Sequence, residues 1–223
     1  MVRIYFSQVE KMLEAEGLLN DESIKEIEAT KNTELRKQKT IVRLLLSVAL
    51  KDCGYKEKIY INKTSDGKPY LESGKPFFSF AHTPGLIVCA VSDNEVGIDV
   101  EKSKDYSDAV IKSTLSICEM DAFCSLSKKE KNEIVCVSWT LKEGYVKLIG
   151  SGIKKRPSQI ILKNYALTDL GKTFDRVIDG KNIFFCFNKI KSFFVSCATF
   201  LQENIQFFEV DEKQNIYKHD IQS

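Results

Sequence analysis

Three acidic side chains stand out for their chemistry and spacing. Asp99 and Glu101 lie in Val96-Gly97-Ile98-Asp99-Val100-Glu101, and Glu143 lies in Trp139-Thr140-Leu141-Lys142-Glu143-Gly144-Tyr145-Val146-Lys147-Leu148-Ile149-Gly150. As a strand, the first run turns Val96, Ile98 and Val100 one way and Gly97, Asp99 and Glu101 the other, so two carboxylates share a face. As a helix, the second sets Lys142 next to Glu143 and Lys147 one turn beyond it. Each alone has an ordinary reading: an Asp-x-Glu face is commonly solvated sheet surface, and Glu143 with Lys147 is a surface pair contributing about 0.3–0.5 kcal/mol. Together, three hard oxygen ligands with lysines beside them suit a Mg²⁺ that keeps some waters and takes its remaining ligands from substrate phosphates. Gly97 leaves room for close approach by backbone or ligand.

A third block, Gly67-Lys68-Pro69-Tyr70 followed by Phe78-Ser79-Phe80-Ala81-His82-Thr83, joins the other two in order. A short motif alone is weak, but three in register over roughly residues 31 to 156 are specific. Gly97-Ile98-Asp99-Val100-Glu101, Trp139-x-x-Lys142-Glu143-x-x-x-Lys147-x-x-Gly150 and the third block resemble the signatures of the 4′-phosphopantetheinyl transferases of the surfactin-synthetase-activating type. The resemblance implies an α+β fold of two similar halves, 1–104 and 105–223, packed as a pseudo-dimer with the site in the cleft between them. It implies Asp99, Glu101 and Glu143 as ligands of Mg²⁺ (or Mn²⁺), and Asp99, Glu143 and Lys147 as the catalytic set. Lys31, Arg43, Lys68, Pro69, His82, Thr83, Lys142 and Lys147 are then contacts of coenzyme A, Lys31 and Arg43 near its 3′-phosphate and Lys68 and Pro69 at its nucleotide end. Two positions depart from the family: Ala81 stands where many members have serine, which removes a hydroxyl contact, and Gly144 stands where alanine or serine is usual, which keeps the position small.

The implied reaction moves the phosphopantetheine arm of coenzyme A onto a serine of an apo acyl- or peptidyl-carrier protein and releases adenosine 3′,5′-bisphosphate. Glu143 is the family's usual proton acceptor, yet a carboxylate on Mg²⁺ beside two lysines has its pKa lowered and is a poorer base. A metal-bound water is the other route. Two further functions fit the same residues: a module that holds coenzyme A or a carrier protein without transfer, and a Mg²⁺-dependent nucleotide pyrophosphatase in which water replaces the serine.

Composition bounds these readings. With 33 basic and 31 acidic residues the net charge is only +2, so there is no overall basic footprint for nucleic acid and any phosphate binding must be local. No window approaches the roughly 20 apolar residues of a membrane span, and the first residues lack a signal-like apolar run, so the chain reads as soluble and cytoplasmic, while the pseudo-dimer that the resemblance implies is a monomer. Seven cysteines, an odd number without a CxxC pair and with only His82 and His219 to help them, read as reduced core thiols rather than a zinc site.

Periodicity supplies the elements that must position the site. Residues 2–7 alternate as a strand. Thr33 is read as the N-cap of a helix running to Leu50, with Gly54 past its end. Residues 58–62 and 77–80 read as strands, Ser65-Asp66-Gly67 as a turn, and residues 86–91 and 96–100 as the arms of one hairpin. Ser116-x-x-Glu119 is a capping-box pattern, the Trp139 helix follows, and residues 160–162, 177, 183–187 and 193–199 read as strands. The likeness of Ile87-Val88-Cys89-Ala90-Val91 to Val195-Ser196-Cys197-Ala198-Thr199 hints at an internal duplication.

Lys154-Lys155-Arg156, just past the catalytic helix, reads as a basic rim that steers an acidic carrier. Replacing all three with Glu is expected to raise the carrier KM and flatten its salt dependence with little change in coenzyme A affinity, as steady-state assays at several ionic strengths will show.

Overall fold

The computed structural model describes residues 1–8, 21–150, 156–162 and 165–219. Lys154 and Lys155 lie outside them. The fold is α+β. A five-stranded sheet has the order β11-β10-β1-β5-β4, from β1 (Val2–Ser7), β4 (Phe77–Thr83), β5 (Leu86–Ser92), β10 (Ile205–Val210) and β11 (Ile216–His219). A four-stranded sheet has the order β6-β9-β8-β7, from β6 (Val96–Lys102), β7 (Thr173–Ile178), β8 (Lys181–Ile190) and β9 (Phe193–Thr199). A small hairpin, β2 (Ile61–Lys63) with β3 (Pro69–Leu71), stands apart. The helices are α1 (Asp21–Glu28), α2 (Thr33–Asp52), α3 (Asp108–Thr114), α4 (Ile117–Phe123) and α5 (Lys128–Ile149).

Alternation along the strands sorts the side chains into three apolar layers. Ile87, Cys89 and Val91 of β5 meet Leu45, Leu46 and Ala49 of α2 on one face of the larger sheet. Leu86, Val88 and Ala90 point the other way, into a layer shared with Val96, Ile98 and Val100 of β6 and Val195 and Cys197 of β9. Beyond the smaller sheet, Phe185, Phe187 and Phe194 pack on Leu141, Tyr145 and Leu148 of α5. The order is therefore helix, sheet, sheet, helix, and every residue of β5 and β9 is buried because both faces are covered.

The expected hairpin of β5 with β6 does not form. After Ser92-Asp93-Asn94-Glu95 the chain leaves the larger sheet, and β6 pairs antiparallel with β9, Asp99 opposite Ser196. Residues 205–210 make the return exchange: β10 leaves the smaller sheet's hairpin and pairs parallel with β1, from Val2 opposite Ile205 to Phe6 opposite Glu209. The apolar side of β6 enters the same layer in either arrangement. Only the smaller sheet, however, brings α5 against its glycine side. An ideal Cβ on Gly97 would lie 2.0 Å from Gly144 O and 2.4 Å from Leu148 N, so helix and strand backbones touch where no side chain intervenes.

Two further readings change. Asn32, not Thr33, caps α2, its side chain accepting from Leu35 N–H at 2.9 Å. Residues 160–162 are not a strand. They follow a 3₁₀ turn, Pro157–Gln159, and mimic strand alternation because Ile160 and Leu162 insert into the α5 layer while Ile161 stays exposed. α5 itself has clear ends: Ser127 accepts from Glu130 N–H, and Gly150 takes the left-handed conformation at φ 70°.

Gly97→Ala is expected to destabilise the fold by several kcal/mol, since the contacting atoms are backbone and cannot rotate away. Gly144→Ala is expected to be tolerated and to add up to about 1 kcal/mol of helix stability, because its Cβ would meet Ser196 O at 3.4 Å. Urea midpoints for the two variants check this opposite pair of outcomes.

Candidate functional site

The glycine contact fixes β6 against α5, and the site grows from it. Gly97, Asp99 and Glu101 face the helix, while Glu143 and Lys147 rise from it one turn apart. On α5, residues 139, 143 and 147 are the partly exposed stripe of an otherwise buried middle section, so Trp139, Glu143 and Lys147 share the open side. The two elements meet in an ion pair, with Lys147 Nζ donating to Asp99 Oδ1 at 2.7 Å.

Asp99 is only 7% exposed, and its Oδ2 has no hydrogen-bond partner. Burial pushes its pKa up to about 6, against the pull of Lys147 and with smaller upward contributions from Glu143 and Glu101. Burial likewise raises Glu143, opposed by Lys147. Glu101 accepts from Thr83 Oγ1 at 3.2 Å. The three carboxylates thus feel one another across the β6–α5 seam. Among the described residues, no three histidine, cysteine or acidic side chains are drawn close enough to cage a metal ion. The donor set still fits a hard cation: the oxygens are of the right type, their charges are mutually repulsive, and one buried oxygen is unused.

Beside the seam opens a cavity of about 480 Å³. Arg43, Lys68, Pro69, His82 and Lys147 all line it, so five of the expected coenzyme A contacts converge on one space. Lys39 and Lys63 join them, giving five cationic side chains against the single carboxylate of Asp66 in a protein of nearly balanced charge. His82 lies near the end of β4 rather than between strands, and its Nε2 donates to Gln38 Oε1 at 3.2 Å. Burial and then Lys147 hold His82 below the usual imidazole range. Lys68 reaches across to donate to Leu148 O at 2.6 Å, so its ammonium closes the C-terminal end of α5 and its stem forms the wall. Burial lowers its pKa, with Glu95 at 3.8 Å opposing.

Three expected contacts sit elsewhere. Lys31 is exposed between α1 and α2 and does not line the cavity. Thr83 is buried, with its hydroxyl engaged by Glu101. Lys142 points away altogether: its ammonium is fully buried and bonded to Thr114 O and Glu119 Oε2. Consecutive helical residues are about 100° apart, so the turn that aims Glu143 at the seam sends Lys142 into the interior. Gln38, Lys39 and Lys63 line the cavity without having been among the expected contacts. Positions 35, 38, 39, 42 and 43, one continuous face of α2, carried the missing signal.

Because the folded state holds the Asp99 pKa above its ordinary value, protonation favours the fold. This group's contribution to stability rises as pH falls through 6 and is lost at higher pH. The shift of about two units corresponds to at most about 3 kcal/mol. Asp99→Asn is therefore expected to raise the melting temperature of chelator-treated protein at pH 7.5, with the difference disappearing near pH 4.

Sequence comparison places these residues among known proteins. Residues 95–195 match the family described as the 4′-phosphopantetheinyl transferase superfamily. The chain is similar to 4′-phosphopantetheinyl transferase gsp of Aneurinibacillus migulanus, 33% identical over 100 residues, which are 44% of this chain and 40% of that one. It is 27% identical to 4′-phosphopantetheinyl transferase Sfp of Bacillus subtilis over 99 residues, 44% of each chain. It is 36% identical to 4′-phosphopantetheinyl transferase HetI of a Nostoc species over 99 residues, 41% of each. These matches span well under half of the relatives' own lengths. The segment that matches the 4′-phosphopantetheinyl transferase superfamily carries the whole β6–α5 seam with Asp99, Glu101, Glu143 and Lys147.

Proposed function

We propose that the protein transfers the 4′-phosphopantetheine arm of coenzyme A to a serine of an apo acyl- or peptidyl-carrier protein. The observation that carries this reading is the cavity lined by Arg43, Lys68, Pro69, His82 and Lys147, with Lys147 shared between that cavity and Asp99. A pyrophosphate drawn in by the cationic wall comes to rest where Lys147 links it to the carboxylate seam. The serine oxygen forms a bond to the β-phosphorus, and the bond to the adenosine 3′,5′-bisphosphate oxygen breaks. Glu143 takes the serine proton. Two features support it as the acceptor: burial raises its pKa, and Lys142, which sequence placed beside it, is committed to Glu119. Asp99, Glu101 and Glu143 would hold Mg²⁺ or Mn²⁺, which supplies charge neutralisation on the pyrophosphate when bound.

The chain is proposed to act as a monomer made of halves 1–104 and 105–223. A shared plan supports the pseudo-dimer: α2 is followed by the β4–β5 hairpin and then β6, which joins the other sheet, while α5 is followed by the β8–β9 hairpin and then β10, which does the same. No helix among the described residues is long and apolar enough to cross a membrane.

The test is a panel of purified apo-carriers incubated with coenzyme A and Mg²⁺ and read by intact mass. A carrier heavier by one phosphopantetheine group supports transfer. Free phosphopantetheine would instead mark a pyrophosphatase, and coenzyme A binding without product a binding module. Asp99→Ala is expected to remain folded and lose transfer. Lys147→Ala is expected to weaken coenzyme A and dephospho-coenzyme A alike, by roughly tenfold or more, as the loss of one charge-assisted phosphate contact implies.

A further inference from the structure

Lys142 and Glu119 form a buried charge pair that the proposed chemistry does not use. Lys142 Nζ donates to Thr114 O and Glu119 Oε2, both at 2.7 Å, and its side chain is 0% exposed. Glu119 also accepts from Ser116 N–H at 2.6 Å through Oε2 and from Leu162 N–H at 3.0 Å through Oε1. One carboxylate therefore joins the start of α4, the middle of α5 and the segment after the 3₁₀ turn. Neither residue lines the cavity.

An apolar side chain at 142 would fill the same space at lower cost, since taking both charges out of water is expensive. What the pair adds is direction. An apolar contact lets a helix roll, whereas an ammonium held by a carbonyl on one side and a carboxylate on the other fixes the rotation of α5 about its axis. Glu143 is the next residue, and Lys147 lies one turn beyond it. We propose that Lys142 and Glu119 are a positioning pair that sets the rotation of α5, and with it the aim of Glu143 and Lys147 at Asp99 and the cavity. The inference rests on the transferase reading for its effect on turnover, but not for its effect on the helix. The competing role is a direct contact of Lys142 with a phosphate.

The experiment compares the full-length wild type with Lys142→Met, Glu119→Gln and the double variant. The double variant is neutral on both sides and remains the working sample where a single substitution prevents folding. In the folded variants, amides 142–147 are expected to lose about tenfold or more in hydrogen-exchange protection relative to the rest of α5. Coenzyme A affinity by calorimetry is expected to stay within about twofold of wild type while kcat falls about tenfold, and the double variant is expected to be no worse than the more affected single, because the two residues act as a unit. Unchanged protection of amides 142–147 would overturn the proposal. So would coenzyme A affinity weakened by Lys142→Met, or by the double variant where neither single folds. Hydrogen exchange needs no turnover, so a wild-type protein that modifies no carrier would reject the transferase reading while the pair is still judged.

Discussion

The site depends on one steric fact, the contact of the α5 backbone with β6 at Gly97. A strand and a helix normally keep their backbones apart by the thickness of the side chains between them. Here that layer is missing over one residue, and Gly144 O and Leu148 N close on the gap. The short spacing lets Lys147 reach Asp99 in a direct 2.7 Å bond and brings Glu143 within electrostatic reach of the same carboxylate. A side chain at 97 would move every one of these groups together, because they belong to two rigid elements meeting at that point.

Electrostatically the site is divided. On one side of Lys147 the cavity wall is cationic, and on the other burial and the neighbouring carboxylates raise the proton affinity of Asp99 and Glu143. Burial strengthens both effects, since charges inside the fold are screened less than charges in water. Lys147 belongs to both sides. Its partial exposure leaves it able to serve an incoming anion, whereas the fully enclosed Lys142 is held by the interior.

Most of the carboxylates of the seam, and the lysine that joins them, were legible from sequence because their spacing encodes their faces. Period two in Val96 to Glu101 turned Asp99 and Glu101 the same way, and period 3.6 put Lys147 beside Glu143. The failures are those that local periodicity cannot resolve. Nothing in the alternation of residues 86–100 says which sheet β6 will join, because its apolar side enters the same layer either way. Lys142 and Glu143 are adjacent in sequence but lie on different sides of the helix, and only tertiary packing shows that one side is interior. Nor does local pattern show that the Thr83 hydroxyl donates to Glu101, which comes from another strand.

The exchange of strands between the sheets also governs how the chain can reach its folded form. β1 lies between β5 and β10, so the strand at residues 2–7 is completed on one side by residues 87–92 and on the other only by residues 205–209. As the polypeptide emerges from the ribosome, the first strand therefore waits as an open edge until nearly all of the sequence described here has been made. Parallel pairing across so many residues is a slow, entropically costly closure. An unpaired apolar edge held open for that time is also a template for misassociation. A nascent chain of this architecture has reason to require chaperone protection up to the moment β10 docks.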